Sequence, residues 1–320
     1  MPAQTTTATL ATSAAGASPR PVPIFLRRAN DAWRNRVLYL FLLPFAALTA
    51  LFGLWPIGES IVVAFTRSAT ALSDAPEWAG LANFRSVLSD PAFLASLWRT
   101  LFFTVASVAL NLGLALALAL LLAHPLLRRG RTLFKLAVFL PVVTPDVAGF
   151  ITWKWLVNTN FGALNAVLLS LGLAPFPGVT QPWTAFGTLV AVEAWHNVGL
   201  YALIFLTNLQ LLDQGLTEAA RIDGANAWQR FRYVVLPQLR PAIAVNAVYA
   251  LIQFLKTFTV VVVITKGGPN YATNFVSYYA YSKFDVALYG EATAMATILF
   301  TMVFVLAAAV LWLGERGEAR

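Results

Sequence analysis

Long uncharged runs recur along the chain and predict membrane-spanning α-helices. A bilayer core about 30 Å thick needs roughly 20 apolar residues per helix. In chain order, the segments that satisfy this requirement are 37–65, 100–123, 133–156, 185–212, 242–265 and 292–314. The third, fourth and fifth of them are interrupted by Asp146, Glu193 and Lys256, respectively. The pattern therefore predicts an all-α membrane protein with six transmembrane helices.

The segments outside the predicted spans differ from one another in charge. Residues 1–36 are rich in Thr, Ala, Ser and Pro, end in a cluster of arginines and lack an apolar core, so we predict a disordered basic tail there. Basic residues are concentrated in alternate loops, which places those loops and both termini in the cytoplasm. Residues 37–314 then form one transmembrane domain, and residues 315–320 form a short cytoplasmic tail.

The composition excludes a water-soluble fold. Hydrophobic residues make up 59% of the chain and charged residues 11%, whereas a typical soluble domain has about 25% charged residues. The formal net charge of +8 is attributed to basic residues that flank the spans, so no nucleic-acid partner is expected. The chain has no cysteine and only two histidines. We therefore expect no disulfide, no thiol nucleophile and no thiolate or histidine-rich metal site in it.

The predicted loop 213–241 is long and polar, and its residues suggest two short helices. Thr217 is placed to cap the first helix, and Gly224 permits a left-handed turn where that helix ends. A second helix is expected over about 225–235, closed by Pro237 and Pro241, which are not tolerated inside a helix. The segment is thus predicted to be a bent pair of helices at the cytoplasmic surface.

The side chains of this loop suit contact with another protein. Ala219 and Ala220 are small enough to let a partner approach the backbone closely, while Trp228 and Phe231 offer apolar anchors three residues apart on one helical face. Such a helical knob fits a groove on a partner. The alternative is an amphipathic interfacial helix whose arginines contact anionic lipid.

The same loop resembles the EAA loop of ABC importer permeases. The pattern is Glu-Ala-Ala, three residues, Gly, nine residues, an aliphatic residue, one residue and Leu-Pro. Its members here are Glu218, Ala219, Ala220, Gly224, Val234, Leu236 and Pro237. Val234 stands where isoleucine is commoner in the family.

A second segment narrows the resemblance to permeases of the carbohydrate type. Thr265-Lys266-Gly267-Gly268-Pro269 is similar to a Thr-Gly-Gly-Pro segment of the permeases of maltose-type and glycerol-phosphate-type importers, and residues 290–294 extend the likeness. Lys266 is the departure, because it is inserted between Thr and Gly-Gly.

The resemblance implies the transmembrane domain of a type I ABC importer in the cell inner membrane, with no catalysis of its own. It implies that a separate cytoplasmic ATPase homodimer binds ATP and Mg²⁺ and contacts the EAA loop. The implied coupling residues are Glu218, Ala219, Ala220, Gly224, Leu236 and Pro237. A second permease chain, an extracytoplasmic solute-binding protein and the membrane lipid are the other implied partners.

Polar side chains within two spans share helical faces and are candidates for a translocation path. Because steps of three and four residues place side chains on one face, the fourth and fifth spans each carry a polar stripe. The candidates are Glu193, Asn197, Tyr201, Asn246, Tyr249, Gln253 and Lys256. Such groups suit a neutral sugar, but they also serve as packing contacts between helices.

Three further expectations concern charges inside the membrane. An unpaired charge there is costly, so Glu193 is expected to pair with Lys256. His196 is expected to be a packing residue, and Asp146, which follows Pro145, is expected to face a cavity or the outer mouth.

Other functions remain open at this point. A glycerol-phosphate permease of the same type is the nearest alternative. A proton-coupled secondary transporter would use Glu193, His196 and Asp146 as a relay, whereas a membrane-embedded enzyme would need paired carboxylates at helical spacing within a span, which the sequence lacks.

Overall fold

The computed structural model describes residues 36–67, 77–124 and 130–318. The predicted tail 1–36 therefore lies, apart from its last residue, outside the described residues. The chain divides into two compact units, residues 1–58 and residues 59–320.

The first helical stretch contains one irregular turn. Helix α1 covers Arg36–Thr49, a π turn follows over Ala50–Leu54, and α2 covers Trp55–Ala64. Together, residues Leu40–Ala64 are long and apolar enough to span a membrane, as predicted for the first span.

Helices make up almost all of the regular secondary structure in the rest of the described chain. The exception is a short antiparallel pair, in which β1 (Thr66–Arg67) bonds to β2 (Glu77–Trp78). The helices are α3 (Ala82–Ser89), α4 (Pro91–Ala123), α5 (Arg131–Val143), α6 (Asp146–Leu156), α7 (Ala163–Ser170), α8 (Pro182–Gln210), α9 (Gln214–Ile222), α10 (Ala227–Arg230), α11 (Leu236–Gln238), α12 (Arg240–Leu255), α13 (Val276–Asp285) and α14 (Tyr289–Glu318). Two π turns cover Phe231–Val235 and Val261–Thr265.

The described residues contain four helices that are each long and apolar enough to cross a membrane, or up to six spans if each of two bent pairs is one span. The four are Leu40–Ala64, Pro91–Ala123, Pro182–Gln210 and Tyr289–Trp312. The bent pairs are α5 with α6, which meet at 100°, and the segment 227–238 with α12, which meet at 67°. The all-α membrane fold is as predicted, whereas six spans remain a prediction.

Two of the predicted spans are not continuous helices. The third breaks at Thr144-Pro145, because a residue before proline is driven to extended backbone, and Thr144 has a ψ of 131°. The fifth ends at Leu255, and helical geometry resumes only shortly before the π turn Val261–Thr265. The predicted spans 133–156 and 242–265 are therefore each made of two helical segments.

The main core lies between α4, α8 and α12. Phe103 of α4 is fully buried, and its ring centroid lies 4.6 Å from that of Phe275 and 5.7 Å from that of Phe186. Buried hydroxyls of α4, such as Thr104, donate to the carbonyl four residues earlier on the same helix. Because these small polar groups are satisfied within their own helix, the neighbouring helices can pack closely against α4.

Hydrogen bonds join α13 to neighbouring helices at the end of the bundle where α4 begins. The Tyr279 hydroxyl donates to a carboxylate oxygen of Asp90 at 2.6 Å, and the Lys283 ammonium lies 2.9 Å from a carboxylate oxygen of Glu291. Burial alone would raise the pKa of Asp90, but the hydrogen bonds from Tyr279 and the Ala92 backbone N–H, with Lys283 nearby, lower this pKa below its ordinary value.

The Gly-Gly-Pro segment forms a compact loop between the π turn Val261–Thr265 and α13. Lys266 and Gly267 have positive φ angles of 50° and 79°. A Cβ on Gly267 would lie 2.8 Å from the Tyr278 ring, so only glycine fits there. The Thr273 hydroxyl closes the loop by donating to the Gly268 carbonyl oxygen at 2.7 Å.

Candidate coupling loop and translocation cavity

The first helix of the predicted coupling loop begins earlier than expected. Asp213 caps α9, and its carboxylate accepts a hydrogen bond from the Gly215 backbone N–H at 2.8 Å. Thr217 lies inside the helix, so its predicted capping role is wrong; an aspartate four residues earlier provides a stronger cap. At the other end, Gly224 adopts a φ of 82°, which confirms the left-handed turn.

The turn after Gly224 is held by local hydrogen bonds. The Asn226 side chain accepts from the Gln229 backbone N–H at 2.9 Å, and the Gln229 side chain accepts from the Asn226 backbone N–H at 2.8 Å. This capping box starts α10. The Arg230 guanidinium donates to the Ala225 carbonyl oxygen at 2.6 Å. The bend therefore has a defined geometry before any partner binds.

Pro237 does not end the second helix, contrary to prediction. The chain continues through the π turn Phe231–Val235 into α11 and bends only at Leu239, which is fully buried. The wider π turn provides room for the Pro237 ring, which would crowd the carbonyl four residues before it in a regular α-helix.

The predicted coupling residues fall into two groups by exposure. Glu218, Ala219 and Gly224 are exposed, and Ala220 is half-buried. Leu236 and Pro237 are both half-buried, next to the core. The bend also presents Ile222 and Trp228, which are 87% and 69% exposed. The first half of the motif thus faces away from the bundle, and the second half attaches the loop to it.

A polar cavity of about 330 Å³ lies where the broken helices meet α8. It is bounded by the α5–α6 break, by α8 and by the end of α12. Its lining is Val142, Asp146, Phe150, Glu193, His196, Asn197, Leu200, Tyr249, Gln253, Lys256, Thr257, Phe258 and Thr259. Five of the predicted path residues, Glu193, Asn197, Tyr249, Gln253 and Lys256, therefore surround one space.

Glu193 joins α8 to the break after α12. Its carboxylate accepts hydrogen bonds from the Thr257 hydroxyl at 2.9 Å and from the Asn197 side-chain amide at 2.8 Å. The expected ion pair with Lys256 is not formed, because neutral donors satisfy the buried carboxylate. The Lys256 side chain is exposed and forms no hydrogen bond or ion pair with any residue that the structure describes.

Asp146 lines the cavity as its first residue on α6. One of its carboxylate oxygens lies 3.2 Å from His196 Nε2. The contact joins α6 to α8 directly across the cavity wall, which explains how a helix that begins at a proline break keeps its position. His196 also packs against the Phe150 ring, with centroids 5.4 Å apart.

Two predicted path residues lie behind the cavity wall. Tyr201 and Asn246 are fully buried and do not line the cavity. The Asn246 side-chain amide donates to the Tyr201 carbonyl oxygen at 3.4 Å, and the Tyr201 ring packs against that of Tyr249, with centroids 6.0 Å apart. The contacts of both residues are those expected of packing between helices.

One charged residue of the broken helices was missed by the sequence reasoning. The Lys154 ammonium on α6 donates to the Val263 carbonyl oxygen at 3.0 Å, in the π turn Val261–Thr265. This bond ties the two broken segments together. A search for every charge within the predicted third span would have found Lys154. Among the described residues, no group of three or more His, Cys, Asp or Glu is placed to hold a metal ion.

The fold agrees with what comparisons with known proteins found. The family model for the binding-protein-dependent transport system inner membrane component matches residues 114–316. The chain belongs to this family. It is thus a multi-pass inner-membrane transport subunit, the permease of an ABC importer.

Individual relatives of this permease are similar over most of their length. The trehalose/maltose transport system permease protein MalF of Thermococcus litoralis is 31% identical over 83% of this chain and 89% of its own. The sn-glycerol-3-phosphate transport system permease protein UgpA of Brucella abortus is 36% identical, over 86% and 93%.

A solved structure supports the fold of the permease. A chain of a bacterial ABC transporter involved in the import of the acidic polysaccharide alginate matches with a TM-score of 0.80 and 24% identity, over 91% of this chain and 99% of that one. The predicted ABC importer transmembrane fold is confirmed.

Proposed function

We propose that this permease moves a neutral carbohydrate through the polar cavity, driven by a cytoplasmic ATPase homodimer that binds loop 213–241. One observation carries the proposal: the two helices that flank the loop also wall the cavity. Helix α8 contributes Glu193 and Asn197, and three residues separate its end from the start of α9. Helix α12 contributes Tyr249 and Gln253, and one residue separates its start from the end of α11.

This connection gives a direct mechanical route from the loop to the cavity. The loop has a defined bend, and α8 is one continuous helix of 29 residues. A displacement of the loop is therefore transmitted along α8 as a rigid-body movement. The energy comes from the partner, because ATP can shift the permease between two states only if its binding favours one of them.

The exposed half of the motif suits the ATPase contact. Glu218 offers a carboxylate, Ala219 and Ala220 leave the backbone accessible, and Gly224 sets the bend. Leu236 and Pro237 act at a distance from the partner, by attaching the loop to the bundle. ATP and Mg²⁺ are bound by the ATPase in this proposal, and the permease itself catalyses no reaction.

The chemistry of the cavity favours a neutral sugar. Carboxylates and side-chain amides accept and donate hydrogen bonds to hydroxyl groups, and the rings of Phe150 and Phe258 offer apolar faces for a pyranose ring. Two carboxylates, Asp146 and Glu193, line the same space and would repel an anionic substrate. The relative named as a trehalose/maltose permease supports the same class.

The complete importer in this proposal has further subunits. An extracytoplasmic solute-binding protein delivers the sugar, in agreement with the family description of a binding-protein-dependent system. A second, similar permease completes a heterodimer, because one bundle of at most six spans would provide half of the pathway.

Glycerol phosphate is the second candidate substrate. Lys256 favours it, since its ammonium lies in the cavity wall, forms no ion pair with a described residue and is available to a phosphate. The relative named as a glycerol-3-phosphate permease supports this class as well.

Uptake by the complete importer in proteoliposomes tests the proposal. We expect ATP-dependent accumulation of a radiolabelled neutral sugar, and we expect Glu218→Gln to abolish it while Asp285→Asn, a matched loss of one exposed carboxylate on α13, does not. Accumulation of glycerol 3-phosphate alone would support the second candidate. Normal uptake by the Glu218→Gln importer would contradict the coupling role.

A further inference from the structure

A second cavity, of about 430 Å³, lies at the end of the bundle opposite the coupling loop. It is formed where α4, about two turns after its start, lies beside the first turns of α8, next to the loop before α13. Its lining includes Trp98, Arg99, Phe102, Trp183, Phe186 and Asn270. None of these residues lines the translocation cavity.

The sequence places this cavity at the membrane boundary. Arg99 is the last charged residue before the uncharged stretch 100–123, which is about 36 Å long as a helix and so covers the hydrocarbon core of about 30 Å. Trp98 and Trp183 flank the cavity and are 73% and 76% exposed. Tryptophans in this position are typical of the interface between lipid headgroups and hydrocarbon.

Arg99 has no anionic partner among the described residues. Its side chain is half-buried and forms no hydrogen bond or ion pair with any residue in the part of the chain that the structure describes. A guanidinium presents a planar set of donors that match phosphate oxygens. Because the Arg99 guanidinium lies in a half-open cavity, it is accessible to an anion from outside the chain.

The deeper part of the cavity is apolar. Phe102 and Phe186 lie about one helical turn farther into the membrane than Arg99 and Trp183, and their ring centroids are 5.2 Å apart. Phe102 is 55% exposed. A ligand that fills the cavity thus needs an anionic group at the level of Arg99 and a hydrocarbon chain beside the phenylalanines.

We propose that this cavity binds a membrane phospholipid, with the headgroup phosphate on Arg99 and the start of an acyl chain against Phe102 and Phe186. With the predicted cytoplasmic termini, the lipid belongs to the outer leaflet. Because α4 and α8 both contact it, the lipid holds together the ends of two helices that form the core of the bundle.

Photolabelling of the purified importer by a lipid tests this site. The full complex is reconstituted in nanodiscs of photoactivatable phosphatidylglycerol, irradiated, and digested for mass spectrometry. We expect the label on peptides containing Trp98–Phe102 or Trp183–Phe186, and we expect Arg99→Gln to lower it about tenfold, the loss that follows from removing one charge-assisted hydrogen-bond partner. Arg99→Lys should keep most of the label, and Arg85→Gln, an exposed arginine on α3 outside the cavity, should keep all of it.

Two results would overturn the proposal. One is equal labelling of the wild-type and Arg99→Gln complexes when size-exclusion chromatography shows both to be assembled. The other is loss of the label when inorganic phosphate or glycerol 3-phosphate is added, because the site would then take a soluble phosphate. Replacement of phosphatidylglycerol by a phosphate-free galactolipid carrying the same photoactivatable chain should abolish the Arg99-dependent part of the label.

Discussion

The bend at Gly224 allows the coupling proposal to be tested without disturbing any other contact. A Cβ at this position would meet no atom within 4 Å, so substitution introduces no clash within the chain. The cost arises only from the φ of 82°, which costs an L-residue such as alanine about 1–2 kcal/mol. That energy shifts the balance between the native bend and altered bends by about 5- to 30-fold.

Gly224→Ala should therefore lower ATP-dependent uptake, by at most about 5- to 30-fold, whereas Gly224→Asn should retain most of it, because asparagine tolerates the left-handed region. The assay is uptake and binding-protein-stimulated ATP hydrolysis by the complete importer in proteoliposomes, with copurification of the ATPase as the measure of assembly. Wild-type uptake by the alanine variant would refute the reasoning. Equal loss in the alanine and asparagine variants would show that the backbone angle is not the cause.

Three more predictions concern the cavity and the opposite end of the bundle. Glu193→Ala removes the acceptor of the Thr257 hydroxyl and should lower sugar uptake by about tenfold or more, whereas Thr207→Ala, on the exposed side of α8, should not; equal uptake by both variants would contradict the path assignment. Tyr279→Phe should raise the pKa of Asp90 toward its ordinary value. A carboxyl with a lowered folded-state pKa contributes stability at neutral pH that is lost as the pH falls through that pKa, so the variant should be less thermally stable than the wild type at neutral pH, and the difference should shrink as the pH is lowered to about 3; identical profiles would count against the contact. Gly290→Ala places a Cβ 2.6 Å from the Thr66 carbonyl oxygen and should destabilise the protein by about 1–3 kcal/mol in thermal unfolding, so an unchanged unfolding temperature would show that the helices move apart freely.

Loop 213–241 is the part of the molecule that local sequence signals predict best. Gly224 has the predicted left-handed backbone, and the small residues before it are exposed or half-buried as expected. The two wrong predictions concern the start of its first helix and the end of its second helix. At each position, a second local feature outweighed the one on which the prediction was based. Asp213 outcompeted Thr217 as the helix cap, and a π turn before Pro237 removed the clash that should have ended the second helix.

The breaks in the spans were only partly predictable. Pro145 marks the first break in the sequence, but a bend of 100° depends on what the two halves pack against, including the Asp146–His196 contact. The second break has no proline or glycine at Lys256-Thr257. It is stabilised by the hydrogen bond from Thr257 to Glu193, 64 residues away, which no local pattern contains.

The spacing of polar residues identified the polar faces of α8 and α12. It did not separate residues that line the cavity from residues that pack between helices. Asn246 and Tyr249 lie on one side of α12 at a spacing of three residues, yet Tyr249 lines the cavity and Asn246 is buried against α8. One face of a helix is wide enough to border both a cavity and a neighbouring helix. The position of the neighbouring helix therefore determines which residues of that face line the cavity and which are packed.

The central claim is that a separate ATPase binds the exposed bend of loop 213–241, and one cross-linking measurement tests it most directly. Because the chain has no cysteine, Ala219→Cys creates a unique thiol on the exposed face of α9. With a short bifunctional reagent, we predict that the thiol is cross-linked to the ATPase subunit in the assembled importer and that Asp285→Cys, at the opposite end of the bundle, is not. An assembled, transport-active importer in which Ala219→Cys forms no cross-link to the ATPase would contradict the claim.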